Sequence, residues 1–423
     1  MVKLRAQSYT RLVSQRILTT ILLSLLSGCA GHPTPHISES AQLVDFAKST
    51  LPVAPKKRWT VKTPGLLTDL NLSGDGNTVL VATIPDRDSV EAGANHSRNF
   101  AAIYSGEGKS LAEIEMPAQI KSQSLSEDGK LALVATYDDT IRAYDRSGKE
   151  LWNREAICKP IVLSALHQIL CFHDDDAEPE LGFEIYDWDG KDVTSFPVKQ
   201  DSLMIKVSEN QKYFVIGLNH GKVVLFNSTY KPLWTKTVDG EITDLGISSP
   251  DSGVPMVAAL YNVKKKASKK HKTDPLVQEQ KIQIWGTSGH GGAKDVPTRL
   301  DQIELSPDGA SLFGYGNDAD GQIIARLDES TGAPVWKRGD PSPAEYSSQM
   351  QAAQAWVWIG FEDMSATTRH SHVLGFDPQG GLKSDVVVPA EEGSYLYAYS
   401  FAPRSKALAV GSDDGELSLF DLK

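Results

Sequence analysis

The stretch Ile120–Glu155 reads IKSQSLS (120–126), EDGK (127–130), LALVATY (131–137), DD (138–139), TIRAYD (140–145), RSGK (146–149) and ELWNRE (150–155). Four short runs alternate with period two, so half of each run points to either face of a sheet. Between them, Ser126, Asp128, Gly129, Ser147 and Gly148 supply the capping side chains and the left-handed backbone that tight hairpins need. The unit is a four-stranded antiparallel meander whose outer strand carries Trp152.

Working outward from it, the same grammar recurs. Ser73-Gly74-Asp75-Gly76 and Ser306-Pro307-Asp308-Gly309 repeat the first turn, and Ser208, Ser248 and Ala402 open degenerate versions. Third strands end on an aromatic followed by an acid or amide at Tyr144-Asp145, Tyr186-Asp187, Phe226-Asn227, Phe376-Asp377 and Phe420-Asp421. Eight units begin near residues 65, 119, 156, 201, 241, 299, 342 and 392. A spacing of about 35–55 residues with four short strands per unit is that of β-propeller blades. No stretch sustains a 3.6-residue period, which excludes an α/β fold. The expected fold is all-β: an eight-bladed β-propeller of four-stranded blades, closed by an N-terminal strand.

The last unit offers only three strands, Leu396–Phe401, Ala407–Gly411 and Glu416–Leu422, before the sequence ends. The missing one is expected from Arg58-Trp59-Thr60-Val61, with Trp59 packing as the outer-strand Trp of the last blade. Such a clasp removes the open sheet edges. Outer-strand Trp then falls at 59, 152, 234 and 336, in every second blade, while Ala112 and Thr194 hold the position in odd blades. The hairpin between second and third strands alternates too. It is short at Asp138-Asp139, Asn219 to Gly221, Asn317 to Gly321 and Ser412 to Gly415, and long near 85–99, 173–181, 262–280 and 361–372. The structural unit is a pair of blades used four times. All four long hairpins belong on one end of the ring, and loops on a rigid scaffold are where binding is usually placed.

The chain of 423 residues is 40% apolar and 23% charged, the composition of a globular protein. A net charge of −11 argues against a nucleic-acid partner, because phosphate contacts need clustered Lys and Arg. Residues 1–16 carry Lys3, Arg5, Arg11 and Arg16 and no acid; an apolar run from Ile17 to Leu26 follows. A basic start, a short apolar core and small residues at its end read as an export signal. Ten residues rise only about 15 Å as a helix, too few to span about 30 Å of bilayer. Leu26-Ser27-Gly28-Cys29 resembles the bacterial lipobox. The resemblance implies cleavage before Cys29, acylation of its sulfur and new amine, and a signal peptide of residues 1–28. Ala30 at the second mature position, where an Asp resembles inner-membrane retention, points to the outer membrane. The mature chain has 39 basic and 54 acidic residues, a net charge of −15. Residues 29–56, with Pro33, Pro35, Pro52 and Pro55 among polar residues, form a lipidated tether reaching roughly 30 Å. Residues 57–423 are the propeller.

The phrases SGKELW (147–152), STYKPLW (228–234) and STGAPVW (330–336) resemble pyrroloquinoline-quinone-like propeller repeats, and the Ser-x-Asp-Gly turns resemble WD40-like repeats. Together with the lipobox, the layout is similar to the propeller lipoprotein of the outer-membrane β-barrel assembly machinery. That resemblance implies a non-catalytic scaffold on the periplasmic face of the outer membrane, binding envelope proteins. No oligomeric state follows from it.

Two alternatives stand beside this reading. Lys264, Lys265, Lys266, Lys269, Lys270 and Lys272 form a basic run in the longest hairpin, and on an acidic body they are candidates for binding glycan or anionic lipid. A propeller enzyme, oxidoreductase or hydrolase, would use the central funnel. Quinone-binding propellers resemble this fold but use adjacent cysteines and a carboxylate-bound calcium, and this chain has no adjacent Cys pair. No GxSxG, HExxH or P-loop is present, so no cofactor, metal or catalytic residue is expected. Asp174-Asp175-Asp176 lacks the spacing of a calcium loop, and His370 and His372 lack an identified third ligand for zinc. Alignment of blade three on blade two sets Ile161 opposite Cys171 and Cys158 on the other face, so both cysteines are expected as small unbonded core residues.

Overall fold

A computed structural model describes residues 55–85, 98–172, 182–197, 203–251, 253–264, 278–286, 291–318, 321–340, 350–353, 356–363, 370–388, 396–402 and 404–422. The strands form eight four-stranded antiparallel sheets, and seven of them are simple meanders of consecutive strands. Inner strands begin at Leu66, Ile120, Lys159, Leu203, Glu241, Leu300, Met350 and Leu396, close to the expected starts. Each hydrophobic cluster joins one blade to the next, from the cluster shared by blades eight and one around to that shared by seven and eight. The core is thus a ring of layers between blades. Second strands such as Leu131–Thr136 and Ala407–Ser412 are buried along their whole length because blades cover both faces. The outer strand Glu150–Glu155 alternates between exposed and half-buried residues.

The eighth sheet departs from the meander as expected. The strand Lys56–Lys62 pairs antiparallel with Glu416–Asp421, setting Trp59 opposite Leu419. Arg58 bridges to Asp421, and the hydroxyls of Thr60 and Ser418 meet at 2.7 Å. The ring is closed by strands from both ends of the chain.

The turn residues act as the repeat implied. In the first turns, Ser126 donates to Asp128 at 2.8 Å and accepts the Leu131 amide at 3.0 Å, while Gly129 takes φ 67°. Ser73 and Ser306 do the same in blades one and six. In the third-to-outer turns, Asp145 accepts the amides of Ser147 and Lys149, and Asp328 those of Ser330 and Thr331. Hydroxyl bonds from Ser330 and Thr331 hold the Asp328 carboxyl down at about 2, and the Ser147 hydroxyl lowers Asp145. A carboxyl lowered by folding adds stability above its unfolded range that is lost as pH falls through its folded value. The melting temperature is therefore expected to drop as pH falls from about 4 towards 2, and less steeply in Asp145→Asn/Asp328→Asn. Parallel curves for the two proteins would contradict this.

At three of the four even-to-odd boundaries the pairing of blades has a concrete origin; at the fourth, Trp234 instead packs beside Trp285, ring centroids 5.6 Å apart. The indole of Trp59 donates to the Gly106 carbonyl, that of Trp152 to Trp188 and that of Trp336 to Pro378, each at 2.8 Å. Each reaches from an even blade to the third-to-outer turn of the following odd one. There the ring lies on a glycine with positive φ: a Cβ on Gly108, Gly190 or Gly380 would come within 2.7 or 2.8 Å of the indole. In the other direction, the turn glycine of blade two, Gly148, faces Ala112 and Ile114 rather than an indole.

The expectation for the cysteines is overturned. Cys158 and Cys171 form a disulfide with Cα atoms 5.5 Å apart. In blade three Pro160, not Ile161, lies opposite Cys171, and Val162 lies opposite Ile169. The ladder is shifted by one residue, which returns Cys158 to the face of Cys171, because a single-residue slip exchanges faces. Both sulfurs are buried between blades two and three. The bond spans a sequence separation of 13, for which chain entropy gives about 3 kcal/mol. Cys158→Ala/Cys171→Ala is expected to lose about that much in urea unfolding; an unchanged midpoint would contradict it.

Candidate functional site

The ring has two ends and a channel. Hairpins between second and third strands share one end with the connections between blades: the Ala156 amide meets the Asp139 carbonyl, Val238 meets Gly221, and Thr63 meets Gly415, all at 2.8 Å. The Ser-x-Asp-Gly turns share the other end with the third-to-outer turns, as the Gly106 amide on the Asn77 carbonyl shows. Long hairpins lie in blades one, three, five and seven, between Ile84 and Asn99, Phe172 and Gly182, Lys264 and Gln278, and Asp363 and His370. All are rooted on the hairpin end. Lys264 closes a strand; Lys265, Lys266, Lys269, Lys270 and Lys272 lie outside the described residues, as do Leu26, Ser27, Gly28, Cys29 and Asp174–Asp176. On the same end Tyr137 is 63% exposed, the most open large apolar side chain among the described residues.

The channel is polar. A cavity of about 630 Å³ is lined by Asp69, Lys206, Asp244, Asp301, Gln302 and Tyr399, among others. Inner strands have no sheet partner on their channel edge, so their amides need other acceptors. Side chains of the preceding blade supply them. Ser124 accepts the Val162 amide at 3.0 Å, Asp244 the Ile303 amide at 2.7 Å, Gln302 the Met350 amide at 2.9 Å and Ser400 the Leu72 amide at 3.0 Å. Asp69 likewise accepts the Gln123 amide. Burial pushes the Asp69 and Asp244 carboxyls up, and these backbone bonds only partly offset it.

Lys206 in blade four reaches past Asp244 in blade five to Glu304 in blade six, Nζ to Oε1 at 2.6 Å. Burial alone would lower the ammonium, but Glu304 and Asp244 outweigh it and hold it above its ordinary value. Burial pushes Glu304 up by more than Lys206 pulls it down. Lys206→Met leaves two carboxyls without their cation, and a loss of about 2 kcal/mol is expected. That is less than a fully buried pair would lose, because both side chains keep some surface on the channel. Lys206→Met/Glu304→Leu should regain most of it; a double variant no better than the single would contradict this.

Sequence reasoning missed these channel residues. A signal was present: Thr68-Asp69-Leu70 and Thr243-Asp244-Leu245 each sit four residues before a turn serine, in opposite blades. It also missed that Arg154 and Arg338, two residues beyond Trp152 and Trp336, donate to the carbonyls of Gly190 and Gly380. His372 is paired with Asp385 at 2.8 Å. Among the described residues, no group of three or more His, Cys, Asp or Glu is placed to hold a metal.

No protein-family description matches this chain, and no curated protein matches it in sequence. Solved structures do match in shape. BamB from Moraxella catarrhalis superposes with a TM-score of 0.54 at 12% identity, covering 87% of this chain and 100% of that one. The chain shares the propeller fold of BamB. The Cps50 (Swd1) β-propeller domain of Myceliophteria thermophila gives 0.48 at 12% identity, with 87% and 100% covered. At such identity the likeness to BamB is one of fold.

Proposed function

We propose that this chain is an exported, lipid-anchored scaffold that binds protein partners in the bacterial envelope, on the periplasmic face of the outer membrane, through the hairpin end of its propeller. The observation that carries the reading is how the polar channel is used. Asp69, Asp244, Gln302, Ser124 and Ser400 accept amides of the neighbouring blade, and Lys206 and Glu304 hold each other. Groups so engaged hold blades together, which favours binding over turnover. The buried disulfide supports export, since such bonds persist in oxidising compartments. The lipobox at Leu26–Cys29 and the similarity of layout to the assembly-machinery lipoprotein support the anchor and the envelope setting.

The test is purification of the full chain from crosslinked envelope. The reading expects a reproducible protein partner that is lost when the long hairpins are shortened to the turns of even blades. A purification without a reproducible partner, or a partner indifferent to the hairpins, would contradict it. Fatty-acid labelling that disappears in Cys29→Ala is expected from the anchor.

A further inference from the structure

We propose that the end of the ring carrying the Ser-x-Asp-Gly turns lies against an anionic membrane surface, leaving the hairpin end turned away from the membrane towards its partner. The inference rests on the anchored reading above and adds an orientation to it.

Two observations converge. The first is where the chain enters the ring. The closing strand runs from Lys56, opposite Asp421, to Lys62, opposite Glu416. Glu416 directly follows the hairpin turn at Gly415, so Lys62 is at the hairpin end and Lys56 at the other. The chain thus enters the ring from the turn end, at the rim of blade eight.

The second is charge on that same rim. In blades one to four the residue just before the outer strand is Lys109, Lys149, Lys191 and Lys231, and all four are exposed. Each follows a residue with positive φ, namely Gly108, Gly148, Gly190 or Tyr230, which sets all four in the same turn geometry. In blades five to seven the same position holds Gly292, Ala333 and Gly381. Exposed Lys56 and Lys57 extend the arc into blade eight, beside the point of entry. The basic residues therefore cover five adjacent blades on the side where the tether begins, on a mature chain of net charge −15. Asp145 and Asp187, in the same turns, are drawn inward onto the amides of Lys149 and Lys191. The exposed acids of the arc are Glu107, Glu150, Asp189 and Asp192, of which Asp189 meets Lys191 at 3.3 Å and Asp192 meets Arg154 at 3.0 Å. Asp75, Asp128, Asp251 and Asp308 are also exposed on the turn end, and Asp128 meets Lys130 at 2.9 Å.

A lysine held at an anionic leaflet adds on the order of fivefold to partitioning, and the gain fades beyond a Debye length. A tether that keeps the rim near the surface makes a modest attraction sufficient to orient the body. The insert lysines 265–272 are rooted on the opposite end and have no part in this contact.

Every described strand of the ring lies after residue 55, so a chain starting at residue 30 keeps all of them. Its sedimentation with vesicles of phosphatidylcholine and phosphatidylglycerol tests the proposal. Binding that weakens with salt and is absent on pure phosphatidylcholine is expected. Lys109→Ser/Lys149→Ser/Lys191→Ser/Lys231→Ser should bind at least about tenfold less, with an unchanged unfolding midpoint, and arginine at the same four positions should restore binding. Replacing the insert lysines 264–272 by serine should leave binding unchanged. No binding by the parent chain, binding lost through the insert instead, or equal binding by the rim variant would each overturn the proposal. Fatty-acid labelling of Cys29, scored in parallel, separates the two ideas: labelled protein whose ring ignores the vesicles keeps the anchor and rejects the orientation, and absent labelling rejects the anchor.

Discussion

A chain that begins at residue 64 is expected to lose about 5 kcal/mol or more, an amount comparable to the whole stability of an ordinary domain. Removing Lys56–Lys62 takes away a complete outer strand. It opens the edge of Glu416–Asp421, whose Leu417 and Leu419 are fully buried. It also removes Trp59 from Gly108 and the ion pair of Arg58 with Asp421. The other outer strands are continuous with their blades, whereas this one is joined to blade eight by pairing alone, so its loss also unties the two ends of the chain. An uncovered strand edge is a template for association. Urea unfolding should show an early, broad transition and sedimentation should show aggregates; a peptide of residues 55–63 should reverse both. A truncated chain that melts within a few degrees of the intact one would contradict the clasp.

Trp336→Ala is expected to cost about 3–5 kcal/mol, the range for deleting a large buried aromatic side chain. The ring of Trp336 is 6% exposed and packs beside Phe313 and Phe376 across the boundary between blades six and seven. Its indole bonds to the Pro378 carbonyl, and Gly380 offers a surface without a Cβ. Trp336→Phe keeps much of the packing and loses the hydrogen bond, so a loss of about 1–2 kcal/mol is expected. At Ala112, the equivalent position in blade one, replacement by glycine removes one methyl and should cost about 1 kcal/mol or less. Chemical denaturation of the three variants checks this order. Equal losses at Trp336 and Ala112 would show that even and odd boundaries are alike.

Much of the ring was legible in local sequence. Ser126, Asp128 and Gly129 make the same bonds in the structure that their residue types imply, and three or four such residues suffice to mark a turn. Trp59 was legible because the last blade lacked a strand and a matching Trp stood at the other end of the chain. The alternation of outer-strand Trp with Ala112 and Thr194 foretold the contacts of Trp59, Trp152 and Trp336 but not that of Trp234, which packs on Trp285 instead, and the glycine beneath those three rings did not show in the pattern. Register was harder. Blade three closes its first turn tightly over Ser164–Leu166, setting Leu163 opposite Gln168, whereas Leu125 of blade two lies opposite Ala132; the alignment of one blade on the other did not carry this shorter turn, so Cys171 was misplaced by one residue and the disulfide hidden. The channel was harder still. Lys206, Asp244 and Glu304 come from three separate blades and meet only because the ring closes, so their spacing in sequence carries no periodic signal. The hairpins proposed to hold a partner have the same difficulty, because their residues follow no repeat.

The central claim is that the hairpin end holds a protein. A photoreactive amino acid at Tyr137, on that end, compared with one at Lys231, on the other, tests it most directly in native envelope. The prediction is a discrete protein adduct from position 137 and none from 231. Protein adducts only from 231, or from neither position, would contradict it.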